Sequence, residues 1–121
     1  MLFRSNKTGA LIRASVRMGA MAGGANGEQL DALTRYAEAI GLMFQIVDDL
    51  LDVTQTTEQL GKTAGKDARQ EKLTFPAVHG LEESKRWVER LRAEAHDALQ
   101  PFGPRGRHLA DLCEYLAVRR K

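Results

Sequence analysis

Apolar residues recur at helical spacing along almost the whole chain. Between Lys7 and Ala22, the residues Leu11, Ala14, Met18 and Met21 fall on one helical stripe, which predicts a first helix. Gly23-Gly24-Ala25-Asn26-Gly27 ends it, since glycine supplies the left-handed residue that helix C-termini favour. A second, long helix is predicted from Glu28 to about Val53. Its first half is amphipathic, with Leu30, Leu33, Ala37 and Ile40 on one face. Its second half is apolar nearly all round, which predicts burial. From Gln55 to Leu73 the apolar period stops, two glycines enter and charge alternates, so the segment reads as a loop of a length that is usually functional in a small domain. Thr74 is placed to cap a short helix from Phe75, with Pro76 tolerated in its first turn. A further helix, Glu82 to about Leu99, carries Trp87, Leu91, Ala95 and Leu99 at four-residue spacing, and Gln100-Pro101-Phe102-Gly103-Pro104 breaks it. A last helix, about Arg107 to Val118, presents Leu109, Leu112 and Leu116. Strand-like alternation and internal repeats are both absent from the sequence. The class is all-α, a single helical domain over residues 1–121 with about five helices.

The polar residues inside the apolar stretch carry the chemistry. From Ile40 to Val53 the only polar side chains are Gln45, Asp48, Asp49 and Asp52. On a helix Asp48 and Asp52 stand one turn apart with Asp49 beside them, and like charges at that spacing repel unless something cationic lies among them. Mg²⁺ suits such a group because it prefers carboxylate oxygen and is commonly shared with substrate phosphates. A solvated acidic face is the alternative reading. The loop adds Gly61-Lys62-Thr63-Ala64-Gly65-Lys66-Asp67 and then Lys72. Glycine lets backbone N–H groups approach an anion and lysine brings a mobile positive charge, although such a loop taken alone is more often a solvated turn. Lys7-Thr8 adds a further cation and hydroxyl.

Composition narrows the classes. A chain of 121 residues supports a modest core, and a formal charge of +2 is too small to imply nucleic acid. No stretch approaches a membrane span, and no signal-peptide core opens the chain. The single Cys113 fits a reducing compartment and reads as a packed thiol, which places the protein in the cytoplasm. His79, His96 and His108 have no carboxylate or cysteine at ligand spacing, so they read as solvated, and Trp87 reads as core.

Three ordered blocks then become informative together: Lys7-Thr8-Gly9-Ala10-Leu11, Phe44-Gln45-Ile46-Val47-Asp48-Asp49-Leu50-Leu51-Asp52, and Gly61-Lys62-Thr63-Ala64-Gly65-Lys66-Asp67 through Lys72-Leu73-Thr74-Phe75-Pro76. In order and spacing they resemble the trans-isoprenyl diphosphate synthases, the farnesyl and geranylgeranyl diphosphate synthase family, across essentially the whole chain. The resemblance implies the isoprenoid synthase helical bundle. It implies that Asp48, Asp49 and Asp52 are the second aspartate-rich motif, holding Mg²⁺ that bridges to an allylic diphosphate. It implies that Lys7, Thr8, Gln45 and Lys62 contact the same diphosphate in catalysis, with Lys72 a weaker substrate-binding candidate. Phe44 is placed to lie near the cavity, although a buried Phe is by default core. The reaction so implied is head-to-tail condensation of an allylic prenyl diphosphate with isopentenyl diphosphate.

The departures from that pattern are equally specific. A first aspartate-rich motif, the Gly-Lys-x-x-Arg segment and the arginine pair that hold isopentenyl diphosphate are missing. The chain therefore looks like the C-terminal half of a synthase without its N-terminal helices, and is expected to be inactive alone. With packing partners lost around Ile40–Val53, a homodimer or larger assembly is expected. Two other readings stand beside this one. The chain is a non-catalytic subunit of a complete synthase, or it is an unrelated helical interaction protein that binds nucleic acid through Arg105, Arg107, Arg119, Arg120 and Lys121. Those last residues more simply form a solvated tail.

Overall fold

The computed structural model describes the backbone of residues 3–59 and 75–119, and the side chains of residues 7–53 and 76–119. Among the described residues there are five α-helices and no strand: α1 (Phe3–Ala22), α2 (Gly27–Gln59), α3 (Phe75–His79), α4 (Leu81–Ala98) and α5 (Arg107–Val118), with a 3₁₀ segment, Gln100–Gly106, between α4 and α5.

α1 and α2 form an antiparallel hairpin. α1 closes with a Schellman turn: the N–H of Ala25 bonds to Ala20 O at 3.0 Å, and Gly24 takes φ 83°, open to glycine at little cost. α2 opens with a reciprocal cap. Asn26 Oδ1 accepts from the Gln29 N–H at 2.8 Å, and Gln29 Oε1 accepts from the Asn26 N–H at 3.0 Å. Periodicity alone did not reveal this cap, because it is written in Asn and Gln three residues apart. The two helices stay in step one turn at a time. Arg17 donates to Thr34 Oγ1 at 2.8 Å, Arg13 pairs with Glu38 at 3.0 Å, and Gly9 meets Gly41 so closely that a Cβ on Gly41 would lie 3.3 Å from Gly9 Cα.

The core lies where α2 crosses α4 and α5. Tyr36, Ile40, Met43, Ile46 and Val47 from α2 pack with Val88, Leu91, Ala95 and Leu99 from α4 and with Cys113 from α5. Tyr36 is fully buried, and its hydroxyl donates to Leu109 O at 2.7 Å, so a polar group inside the core is satisfied and ties α2 to α5.

Several boundaries differ from those the pattern predicts. α2 runs on to Gln59, taking in the start of the segment expected to be a loop. The apolar period ends at Val53, but no Gly or Pro occurs before Gly61, so nothing in the sequence terminates the backbone ladder. The rest of that expected loop lies outside the described residues. α1 starts at Phe3, ahead of Lys7. Its predicted stripe is exposed: Leu11 and Met18 are each 67 % exposed and Met21 is 54 % exposed, while Ile12 faces the core. No described helix is long and apolar enough to cross a membrane.

Candidate functional site

α2 brings the acidic residues together. Ligand oxygens of Asp48, Asp49 and Asp52 all lie within 4.8 Å of one another. Their surroundings differ. Asp49 is 1 % exposed, Asp48 is half-exposed and Asp52 is exposed. The group is therefore a cluster reaching from the core to the surface, and the reading of a wholly solvated acidic face does not hold. Gln45, also buried, donates its amide to Asp49 Oδ1 at 3.1 Å. That bond sets one oxygen of a carboxylate which packing has already confined.

The donor set fits a hard divalent cation. All three donors are carboxylate oxygens on one helix. Two oxygens bound to the same Mg²⁺ are separated by at most roughly 4.2 Å, twice the metal–oxygen distance. Oxygens that all lie within 4.8 Å of one another could serve one Mg²⁺, which commonly binds one or two carboxylates and keeps several waters.

α1 delivers two further predicted residues to the same end of the hairpin. The register fixed by Arg17–Thr34, Arg13–Glu38 and Gly9–Gly41 brings Lys7 level with Met43 and Phe44. Thr8 is half-buried and Lys7 is exposed. Along the α2 axis Asp48 lies about 6 Å beyond that level, at 1.5 Å of rise per residue. Lys62 and Lys72 lie outside the described residues. Phe44 is half-buried, and its ring carries the guanidinium of Arg119 at 4.4 Å from the centroid.

Arg119 corrects the reading of the C-terminus as a solvated tail. Its side chain is 8 % exposed, donates to Phe44 O at 3.2 Å and stands 3.9 Å from Asp48 Oδ1. It also lines a groove of about 320 Å³, together with Val47, Leu50, Leu51, Lys85 and Val88 among others. Arg120 and Lys121 lie outside the described residues.

A second set of ligand-type side chains, His96, Cys113 and Glu114, joins α4 to α5 within the same 4.8 Å. Sequence spacing concealed it, because His96 and Glu114 come together across the helix pair, with His96 Nε2 2.6 Å from Glu114 Oε2. Arg92 engages both oxygens of Glu114. With the guanidinium first and His96 second as causes, the Glu114 carboxyl is held down at about 2. Burial pushes the Cys113 thiol up to about 11, so it is not a ready thiolate ligand. This cluster is an interhelical ion-pair network.

The described residues form an all-α bundle with three clustered carboxylates on α2, and residues 2–100 match the polyprenyl synthetase family. The chain belongs to that family. It is 49 % identical over 115 residues to geranylgeranyl pyrophosphate synthase 3, chloroplastic, of Arabidopsis thaliana, covering 94 % of this chain and 32 % of the relative. It is 48 % identical over 115 residues to a dimethylallyltranstransferase of Fischerella ambigua, covering 95 % of this chain and 33 % of the relative. A crystal structure from Marinomonas sp. MED121, assigned provisionally as a farnesyl-diphosphate synthase, superposes with a TM-score of 0.73 at 40 % identity, covering 92 % of this chain and 36 % of that one. The chain thus spans about a third of the length of the relatives it matches.

Proposed function

We propose that this chain carries the diphosphate-activating part of an isoprenyl diphosphate synthase, with Asp48, Asp49 and Asp52 as the Mg²⁺ ligands. The observation that supports it is the gathering of three carboxylates within 4.8 Å at the end of α2 in a polyprenyl synthetase chain. When bound, Mg²⁺ neutralises the charge that builds on the departing diphosphate.

The residues divide the remaining work. Asp49 is buried and hydrogen-bonded by Gln45, which preorganises it; Asp48 and Asp52 reach solvent, the side from which a diphosphate would approach in this reading. Lys7 and Thr8, at the same end of the hairpin, supply a cation and a hydroxyl donor to phosphate oxygen, and Lys62 and Lys72 are further candidates from the sequence. In the reaction the allylic carbon–oxygen bond breaks and the diphosphate leaves with the electron pair. The double bond of isopentenyl diphosphate then forms the new carbon–carbon bond, and a proton is lost. Stabilising the leaving diphosphate is where these residues lower the barrier.

The isolated 121-residue chain is expected to bind Mg²⁺–diphosphate without appreciable turnover, since it lacks a second aspartate pair. The reducing compartment suggested by a lone buried cysteine is taken to be the cytoplasm. Calorimetric titration of geranyl diphosphate in Mg²⁺ should show binding that vanishes with EDTA and in Asp48→Ala. Binding indifferent to both would sink this reading.

A second reading is a non-catalytic subunit that joins a complete synthase. The exposed stripe of Leu11, Met18 and Met21 on α1 favours it. A homodimer would cover the same stripe. Light scattering separates these: a self-associated species supports the homodimer, and assembly only on adding a full-length synthase supports the subunit.

A further inference from the structure

Arg119 follows the last turn of α5, yet its guanidinium is anchored on α2. It donates to the main-chain oxygen of Phe44 at 3.2 Å and stacks over the Phe44 ring at 4.4 Å. From there one nitrogen stands 3.9 Å from Asp48 Oδ1. That separation is too long for a hydrogen bond and short enough for a substantial Coulomb interaction. Phe44 thus helps to set the guanidinium's position, and Asp48 lies within reach of its positive charge without a hydrogen bond to it.

We propose that Arg119 is a built-in counter-charge to the carboxylate cluster, a positioning residue that acts through Asp48. It stabilises the metal-free cluster and, by the same charge, holds down its affinity for divalent cations. This rests on the reading of Asp48, Asp49 and Asp52 as a divalent-cation site. Three carboxylates within 4.8 Å repel one another, and a neighbouring guanidinium relieves part of that repulsion. An arriving dication meets the same guanidinium as a like charge. The ring and carbonyl of Phe44 hold that guanidinium in place, so it does not simply swing away. The two effects have opposite signs, and that separates a counter-charge from a packing residue, whose removal harms both stability and binding.

The test uses the whole chain with Mn²⁺ as the probe, free ion being followed by electron paramagnetic resonance at low ionic strength. Thermal unfolding in EDTA is recorded on the same samples. Arg119→Met keeps an apolar stem and loses the charge; it should bind Mn²⁺ roughly fivefold more tightly while melting a few degrees lower in EDTA. Arg119→Lys restores a charge and should return the Mn²⁺ affinity toward that of the parent even if the melting temperature does not recover. Should Arg119→Met fail to fold, Arg119→Gln, which retains an amide donor for the Phe44 oxygen, reports the same quantity. Equal or weaker Mn²⁺ binding by the neutral variant overturns the proposal. A parent chain with no saturable Mn²⁺ binding, or with binding unaltered by Asp48→Ala, overturns the metal-site reading itself, and both results appear without any Arg119 variant.

Discussion

Gln45 donates its side-chain amide to Asp49 Oδ1 at 3.1 Å, and both side chains are buried. A carboxylate removed from water beside two others is costly to keep charged, so its retention in a small core calls for a purpose beyond packing. Asp49→Asn preserves the shape and an oxygen that can still accept from Gln45. In EDTA its stability should stay within about 1 kcal/mol of the parent, because the lost charge also removes repulsion. Added Mg²⁺ and diphosphate should stabilise the parent by about 3 kcal/mol at a hundredfold excess over Kd, and Asp49→Asn far less. Thermal melts with and without Mg²⁺ read both quantities.

The glycine crossing makes opposite forecasts for two glycines in the hairpin. A Cβ at Gly19 meets nothing within 4 Å, so Gly19→Ala should stabilise by about 0.5–1 kcal/mol through helix propensity. A Cβ at Gly41 would stand 3.3 Å from Gly9 Cα, which is backbone and cannot turn aside. Gly41→Ala should forfeit the propensity gain and lose about 1 kcal/mol or more as α1 is forced outward. Urea unfolding of the two variants side by side checks the difference in sign.

Glu114 predicts an acid response. Its carboxyl lies at about 2 in the fold against an ordinary 4.5, chiefly because of the Arg92 hydrogen bonds. A depressed carboxyl contributes stability above its unfolded pKa, and that contribution drains away as the pH falls from about 4.5 toward about 2. The Glu114 side chain is 39 % exposed, so solvent screening limits the contribution to about 1 kcal/mol. Glu114→Gln should be less stable than the parent by that amount at pH 6, and the gap should shrink steadily below pH 4. A gap that is constant from pH 6 to pH 2 would contradict this.

Tyr36 and Cys113 report on the α2–α5 junction. Burial, with Cys113 nearby, raises the Tyr36 hydroxyl well above its ordinary pKa, so it stays protonated and able to donate to Leu109 O. Tyr36→Phe should cost about 1 kcal/mol, the net value of one buried hydrogen bond. Burial also keeps the Cys113 thiol protonated and inaccessible. Alkylation at pH 8 should therefore be slow in the parent and faster in Tyr36→Phe, in proportion to the loosened junction.

Helix periodicity located what depends on local pattern. α3 and α5 begin where Phe75 and Arg107 suggested, α4 lies within a residue of expectation, and Leu91, Ala95 and Leu99 are buried as their spacing implied. The acidic cluster was legible because three carboxylates inside an apolar stretch contradict every simpler use of such a stretch. Its unequal burial was not legible: Asp48 and Asp49 are chemically the same, and only tertiary packing decides which one faces inward. Leu11, Met18 and Met21 show the opposite failure, since a helical stripe identifies a face but not whether a neighbour covers it. Arg119 looked like one of a basic run, and its burial follows from where α5 ends relative to Phe44. The pairing of His96 with Glu114 likewise depends on the crossing of α4 and α5.

The paired steps along α1 and α2, Arg17 with Thr34, Arg13 with Glu38 and Gly9 with Gly41, make the hairpin a device for setting angular phase. The cluster's direction is inherited through the residues between Thr34 and Asp48, each of which turns the helix by about 100°. A single residue inserted between Gln45 and Asp48 would leave the α1 contacts intact and swing Asp48, Asp49 and Asp52 round the axis, away from Gln45 and from Arg119. The same insertion in the Gly23–Asn26 turn would leave the cluster's phase relative to Gly41 untouched. Chemistry at the far end of α2 is thus fixed by a residue count that permits substitution at many positions and insertion at almost none.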